Sequence, residues 1–292
     1  MIARRKRNPE SAIALVGPGR LGQAMGKLLH RQGFRVRFIV ARRKAAAQRA
    51  VKFIGGGRPV AMNSPEIAQV PIVLLTTSDA ALSSIAEHLA GLQVDWKGKV
   101  ALHTSGSLPS SVLSPLRRRG AAIGSVHPYQ TIPSAAAGLR NLPGAYWAIE
   151  GDAAACQVAT RWVKALGGVA FRVHPSRKVL YHASAFLVCP TLVTLMDHSL
   201  RLLRQSGVPA KIARPMLARF MSETVRNFEQ MGARRSLTGP AVRGDWPVIR
   251  KHLRALRRIS PDVVPIYLEL LRAMLRLAGR RPPRDLQGVL RG

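Results

Sequence analysis

Three glycines, Gly17, Gly19 and Gly22, stand in the spacing G-x-G-x-x-G directly after the apolar run AIALV at 12–16. The spacing alone is a weak signal. Between a buried strand and an amphipathic helix it has a mechanism: Gly17 permits a tight turn, Gly19 lets backbone approach a pyrophosphate, and Gly22 lets helix and strand pack closely. The N–H groups at Arg20, Leu21 and Gly22 then offer the positive end of a helix to phosphates. A ribose 2′-hydroxyl would call for Asp or Glu about 20 residues further on. The chain instead reads Val40-Ala41-Arg42-Arg43-Lys44. Guanidinium groups suit a 2′-phosphate, so the expected ligand is NADP(H) rather than NAD(H). The alternative is that Arg42 and Arg43 are two more cations of a basic chain.

Three further loops follow strand-like runs and should face the same ligand. Thr77-Ser78-Asp79 offers Thr77 to the cofactor, with Asp79 reading as a helix N-cap. His103-Thr104-Ser105-Gly106-Ser107 supplies small hydroxyls and a glycine, so that Ser105 and Gly106 let backbone N–H groups approach a carbonyl or carboxylate. Gly124-Ser125-Val126-His127-Pro128 ends the next strand. His103 and His127 are candidate proton donors, or else hydrogen-bonded structural histidines. Near the far end, SLTGPAVRGDWPVIRKHL at 236–253 packs Thr238, Arg243 and Asp245 into a turn, with His252 two turns on. Asp245 suits the cap of a helix beginning at Trp246-Pro247. Arg243 either holds a carboxylate or forms a structural Arg–Asp turn.

The elements that must position these residues follow a clear rhythm. AIALVG (12–17), FRVRFIVA (34–41), PIVLLTT (71–77), KVALHTSG (99–106) and AIGSVHP (122–128) read as strands alternating with helical stretches. AYWAIEG and GVAFRV add two candidates. The alternation predicts an α/β, Rossmann-type parallel sheet over residues 1–174. Beyond Pro175 strand signals vanish, and residues 175–292 read as an all-α domain. GGG at 55–57 reads as a flexible loop, and RRPPRDLQGVLRG at the end as a frayed tail.

Composition narrows the classes. Of 292 residues, 47% are hydrophobic, enough for real cores. Cys156 and Cys189 give neither a disulfide framework nor metal-ligand spacing; buried, reduced thiols in a cytoplasmic protein are expected, and no metal. The N-terminal apolar run is too short for a signal peptide. The greasiest stretch, Ala183 to Met196, is interrupted by Pro190 and falls short of about 20 residues, so no membrane span is expected. Forty-six Lys and Arg against fourteen Asp and Glu give a net charge of +32. The cations are scattered (RRKR at 4–7, RRR at 117–119, RR at 257–258), without zinc-finger or ribonucleoprotein patterns. Salt-sensitive polyanion binding is expected, without specific nucleic-acid recognition.

AIALVGPGRLG, LHTSGSL, GSVHPYQTI, KVLYHASAF and LTGPAVRGD occur in that order along the chain. The series resembles bacterial Rossmann-like proteins with a C-terminal DUF2520 domain. These are similar to ketopantoate reductase, pyrroline-5-carboxylate reductase and the β-hydroxyacid dehydrogenases. The resemblance implies an N-terminal NADP-binding domain, a helical domain used for dimerisation and a cleft site between them. It also implies that Lys178, one turn before His182, protonates a developing alkoxide; the alternative is a lysine at a helix start. Where the family has Ser-Asn on this helix, the chain reads Cys189-Pro190, so a ligand-bonding amide is lost and a kink is expected.

Together these readings give an NADPH-dependent reductase of a small carbonyl or imine acid, ketopantoate-type 2-keto acids first. Lys178, His127 and His103 are the catalytic candidates. Ser105, Gly106, His182, Thr238, Arg243, Asp245 and His252 are the substrate candidates. A homodimer is expected through the apolar helix at 183–196. The competing reading is a non-catalytic NADP-binding sensor or assembly protein.

Overall fold

A computed structural model describes residues 12–291; the basic run at 4–7 lies outside them. The first part alternates strand and helix. It runs β1 (Ala12–Val16), α1 (Arg20–Arg31), β2 (Arg35–Val40), α2 (Lys44–Ile54), β3 (Arg58–Val60), β4 (Ile72–Leu75), α3 (Asp79–Gly91) and β5 (Val100–His103). It continues with α4 (Ser114–Arg118), β6 (Ala122–Pro128), α5 (Ala135–Asn141), β7 (Tyr146–Gly151), α6 (Ala153–Ala165) and β8 (Val169–Arg172). Among the described residues only helices follow: α7 (Lys178–Gln205), α8 (Ala210–Ser236), α9 (Pro240–Arg243), α10 (Trp246–Ile259), α11 (Val264–Ala278) and α12 (Arg284–Arg291).

The eight strands form one sheet in the order β3-β2-β1-β4-β5-β6-β7-β8. The order reverses between β1 and β4, so their C-terminal loops diverge and leave a crevice there. The central strands β1, β4 and β5 are buried along their whole length because both faces are covered. Ile13 and Leu15 of β1 join Ile72, Leu74, Leu102, Met25 and Trp162 on one side. Ala14 and Val16 join Val73, Leu75, Leu82, Trp96 and Leu116 on the other. The pairings are parallel except one: β7 runs antiparallel to β6, with Ser125 opposite Glu150 and His127 opposite Ala148.

The chain divides into two compact units, the first running to Cys189 and the second starting at Pro190. The second unit has its own small core, with Ile249 and Leu253 of α10 against Leu271 and Leu275 of α11 and Leu286 of α12. Ile249, Leu253 and Leu256 recur at helical spacing on the buried side of α10, which leaves its cations on the outside.

Several expectations are corrected. The tail is not frayed: α12 buries Leu286, and Asp285 accepts two hydrogen bonds from Arg250 at 2.8 and 3.0 Å. α7 runs through Pro190 as one helix, so the apolar stretch is not interrupted there. With that continuity, Pro175–Gln205 is long and apolar enough to cross a membrane by length and composition. Cys156 is buried as expected, but Cys189 is exposed. A backbone break falls in α8 at Gly232, with φ 73° and ψ 172°. β3 escaped the sequence reading because Arg58–Val60 is short and only partly buried.

Candidate active site

The glycine loop is built as its spacing requires. Gly17 has φ +78°, donates its N–H to Val40 O at 2.9 Å, and lies so close to Thr77 that a Cβ would collide with it. A Cβ on Gly22 would collide with Thr76 Oγ1, whose hydroxyl donates to Gly17 O at 2.5 Å. Gly19 has open space where a Cβ would project, with no atom nearer than 4.0 Å. A cavity of about 630 Å³ opens here, lined by Gly17, Gly19, Thr77, Arg42, Arg43 and Arg49. Thr77 Oγ1 is buried and has no hydrogen-bond partner among the described residues. An orphaned hydroxyl, a cradle only glycines allow and three guanidinium groups fit a phosphorylated dinucleotide. Arg20 is exposed at the first turn of α1, while the Leu21 side chain packs on the core, leaving only its backbone for a ligand. Arg49, on α2, was missed; its signal was a cation in the helix that begins at the Arg42-Arg43 loop.

The loop after β5 is tied down on two sides. Asp79 is the first residue of α3, not its cap, which is Ser78. Its carboxylate accepts hydrogen bonds from Ser105 Oγ at 2.8 Å and Ser107 Oγ at 2.6 Å. Asp79 therefore links the loop beside the cavity to the loop after β5. Ser105 Oγ also accepts the N–H groups of Ser107 and Leu108 at 3.2 and 2.9 Å. That hydroxyl is engaged in shaping the loop. His103 is fully buried, with Nδ1 accepting Ser105 N–H at 3.1 Å and Nε2 without a partner among the described residues. Burial pushes its pKa down to about 3. His103 is a support for the loop rather than a donor to substrate, because no face of it is open.

On the other side sits a buried charge pair. Lys178 is 1% exposed and donates to Ser125 Oγ at 2.5 Å, Ser105 O at 3.1 Å and Glu150 Oε1 at 3.2 Å. Glu150 also accepts Ser110 N–H and Ser110 Oγ, each at 2.7 Å. Burial lowers the Lys178 pKa, and the Glu150 carboxylate opposes the shift. An ammonium with three acceptors and no exposure has no proton aimed at a substrate, so the general-acid role does not fit Lys178 as it stands. The sequence reading missed Glu150 altogether. Only the antiparallel register, which sets Ser125 opposite Glu150, brings both to Lys178.

Above this network lies a cluster of rings. His127, on β6, shares a 2.8 Å hydrogen bond between Nδ1 and Tyr181 OH. His182 meets His127 edge-on, ring centroids 5.8 Å apart. Tyr129 OH and Ser184 Oγ are 3.1 Å apart beside them. Burial, then His182, then Lys178, push the His127 pKa down to about 3. Burial raises that of the Tyr181 phenol. Both groups are neutral near neutral pH.

In the second unit, Asp245 caps α10 by accepting Val248 N–H at 3.5 Å. Its carboxylate thus takes the capping task the sequence assigns it. Thr238 and Arg243 are exposed on the same turn. His252 hydrogen-bonds through Nδ1 with Tyr267 OH at 3.0 Å and lines a separate cavity of about 350 Å³ with Gln205 and Ser206. Arg243 is not part of that lining, so His252 and Arg243 do not share a pocket. Among the described residues no three His, Cys, Asp or Glu side chains gather as metal ligands would.

Residues 3–128 match the family of Rossmann-like domains, and residues 145–274 match DUF2520, a domain of unknown function. The second match begins at β7, so Glu150 and Lys178 come from the DUF2520 segment, while Ser105, Ser110 and Ser125 come from the Rossmann-like one. No curated protein matches the chain. Among solved structures, TM1727 of Thermotoga maritima has a TM-score of 0.70 at 23% identity, over 91% of this chain and 98% of its own. The NADP oxidoreductase candidate BF3122 of Bacteroides fragilis has 0.72 at 21%, over 91% and 99%. A pyrroline-5-carboxylate reductase of Coxiella burnetii has 0.59 at 12%, over 93% and 98%. At these identities the likeness is one of fold. Residues 3–128 thus match a Rossmann-like domain and residues 145–274 a DUF2520 domain, in that order along the chain.

Proposed function

We propose that the chain is a nicotinamide-dependent reductase, preferring NADPH, that acts on a small acid carrying a C=O or C=N bond. The cradle carries the reading: the orphaned Thr77 hydroxyl and the three arginines lie around one cavity at the point where strand order reverses. When bound, the cofactor supplies a hydride. The loop at 104–108, fixed by Asp79 and Lys178, and the rings of His127 and His182 are the groups of this chain available to orient and polarise the acceptor. Nothing in the site selects ketopantoate among 2-keto acids. The shared fold with a pyrroline-5-carboxylate reductase supports testing cyclic imino acids beside them. The experiment is a fluorescence titration with NADPH and NADH, followed by an NADPH-oxidation panel of 2-keto acids and cyclic imino acids. Expected are tighter binding of NADPH and turnover with one of the two classes; equal or tighter binding of NADH overturns the cofactor preference.

One observation favours the second reading, a non-catalytic NADP-binding sensor. The lysine expected to donate a proton is buried and fully engaged. Tight NADPH binding with no turnover across the panel would establish that reading instead.

We also infer a homodimer that covers α7. Leu180, Phe186, Leu187 and Val193 are 72, 63, 69 and 64% exposed. A bilayer is a poor occupant for this helix. Its first residue, Lys178, is bound inside the sheet unit by Ser125, Ser105 and Glu150, which ties the start of the helix to a folded surface. A second copy fits. Light scattering should report a dimer, and Leu187→Glu should shift it toward monomer; a monomeric wild type overturns the inference. The two free thiols support a reducing, cytoplasmic setting.

A further inference from the structure

A second cavity of the first unit, of about 540 Å³, is walled by α6, β7 and β8 and shares no lining residue with the glycine cradle. Arg161 and Lys164 enter its lining from α6 and Arg172 from β8, and no acidic side chain joins them. We propose that this cavity binds a phosphorylated small molecule, held by Arg161, Lys164 and Arg172 with Thr160 and Gln157 as further donors. The site goes beyond the reductase reading and does not rest on it.

The spacing along α6 builds one wall. Ala153, Gln157, Thr160, Arg161 and Lys164 recur at the offsets of a single helix face and line the cavity together. Ala155, Val158, Ala159, Trp162 and Val163 bury the other side of the same helix in the core. Parallel pairing of β7 with β8 then sets Arg172 beside Ile149, which belongs to the same lining. The Arg172 guanidinium interacts with the buried Cys156 thiol, also a lining group, and so reaches over the cavity.

The charges around this space are uncompensated. None of the three cations has a carboxylate partner among the described residues. Arg161 and Lys164 lie one turn apart on one helix, where like charges repel. The carboxylates nearest in sequence serve other cations, Glu150 pairing with Lys178 and Asp152 with Arg117. In the cavity between α10 and α12, by contrast, Arg250 meets Asp285 within the lining itself. An anion entering the α6 cavity therefore gains three cations without displacing a partner.

Phosphate fits this donor set better than a carboxylate does. Its dianion offers three oxygens to two guanidinium forks and an ammonium, whereas one carboxylate leaves a cation unmatched. Ile149 and Ala153 add an apolar stretch for the body of the ligand. The volume falls within the range of about 300–1,000 Å³ usual for small-molecule sites, which leaves room for more than the phosphate alone.

The test uses the full chain and inorganic pyrophosphate as the probe, read by calorimetry. Arg161, Arg172, Arg118 and Arg119 are all exposed, so replacing them leaves the core intact. The Arg161→Ala, Arg172→Ala double variant should lose a pyrophosphate site, its affinity falling roughly tenfold or more. Arg118→Ala with Arg119→Ala removes the same charge elsewhere and should keep that site. Thr160→Glu, which sets a carboxylate among the three cations, should also lose it. Binding at the glycine cradle should persist in every variant, and NADPH affinity should stay unchanged, which separates this outcome from the fate of the reductase reading. Retention of all pyrophosphate binding in the Arg161→Ala, Arg172→Ala variant overturns the site. An equal loss in the Arg118→Ala, Arg119→Ala control overturns it too, because the binding is then diffuse attraction to a basic surface.

Discussion

Lys178 Nζ and Glu150 Oε1 lie 3.2 Å apart with both side chains almost wholly buried, and each is further tied to a serine, Lys178 to Ser125 of β6 and Glu150 to Ser110. The pair joins a strand that begins the DUF2520 segment to a helix inside it, and clamps the loop that bears Gly106. Breaking such a pair by removing one partner strands a charge in the interior, which costs about 3–5 kcal/mol. Glu150→Gln should therefore lower stability to urea by that order. The double variant Glu150→Gln with Lys178→Met should recover much of the loss, because no charge remains unpaired. If Lys178 is a clamp rather than a proton donor, the double variant also retains turnover, which an NADPH-oxidation assay reads directly.

Acid should weaken the fold earlier than carboxylate titration alone explains. The His103 pKa is held at about 3 in the folded chain, against an ordinary histidine value of 6.5. Between those values the unfolded chain binds a proton that the folded chain refuses, so stability falls as pH drops through this window. At pH 5 the loss from His103 is about 2 kcal/mol. His127, also held at about 3, adds a similar slope. His103→Asn keeps an acceptor for Ser105 N–H but cannot titrate. Urea midpoints from pH 7 to 5 should fall less steeply in that variant, and an unchanged slope would assign the acid sensitivity elsewhere.

What could be read from the chain beforehand follows the range of the interactions. AIALV and IVLL announce strands because both their faces are buried, and the three glycines announce the turn because their roles are local. Glu150 was invisible, since its partners Ser110 and Lys178 lie 40 and 28 residues away and its facing residue depends on an antiparallel pairing in a sheet otherwise read as parallel. Asp79 was misread for a related reason. A carboxylate beside a helix start normally caps it, but here the serines of another loop compete for it. The final helix was hidden by Pro282-Pro283, which read as a tail although proline suits the start of a helix.

Gly22→Ala tests the cradle independently of any substrate. The added methyl would collide with Thr76 Oγ1 and approach Gly17 O to 3.1 Å. The helix must shift away from β4 or Thr76 must give up its bond to Gly17 O. Overpacking of this kind costs about 1–3 kcal/mol. Thermal unfolding should show that loss, and NADPH affinity should fall with it because the turn itself is displaced. Gly26→Ala, which meets only Ile54 and Leu15 side chains at 2.9 and 3.3 Å, should affect stability without moving cofactor affinity.

Arg243→Lys separates an anion-holding role from a structural one. Arg243 is exposed at the end of α9, where Gly244 takes the left-handed conformation with φ +75°. Lysine keeps the charge but loses the planar two-pronged donor set. A raised KM for the acid substrate, with NADPH affinity and melting temperature unchanged, is expected. An unaltered KM would leave Arg243 a residue of the turn.

The three arginines at the cavity should decide between the two nicotinamide cofactors. Arg42 and Arg43 precede α2 and Arg49 lies within it, and all three line the space beside Gly17 and Gly19. Hydrogen bonds to a charged group contribute about 1.5–3 kcal/mol each, and only a 2′-phosphate can collect them. NADH presents a hydroxyl there and forgoes that gain. Arg42→Ala and Arg43→Ala should each weaken NADPH binding by about tenfold or more while NADH affinity stays within error. Arg49→Ala should act in the same direction, since its guanidinium reaches the same cavity from the helix. Fluorescence titrations with both cofactors give the ratio. A parallel loss for NADH would mean that these cations serve the shared pyrophosphate or the fold, and the preference for NADPH would then need another source.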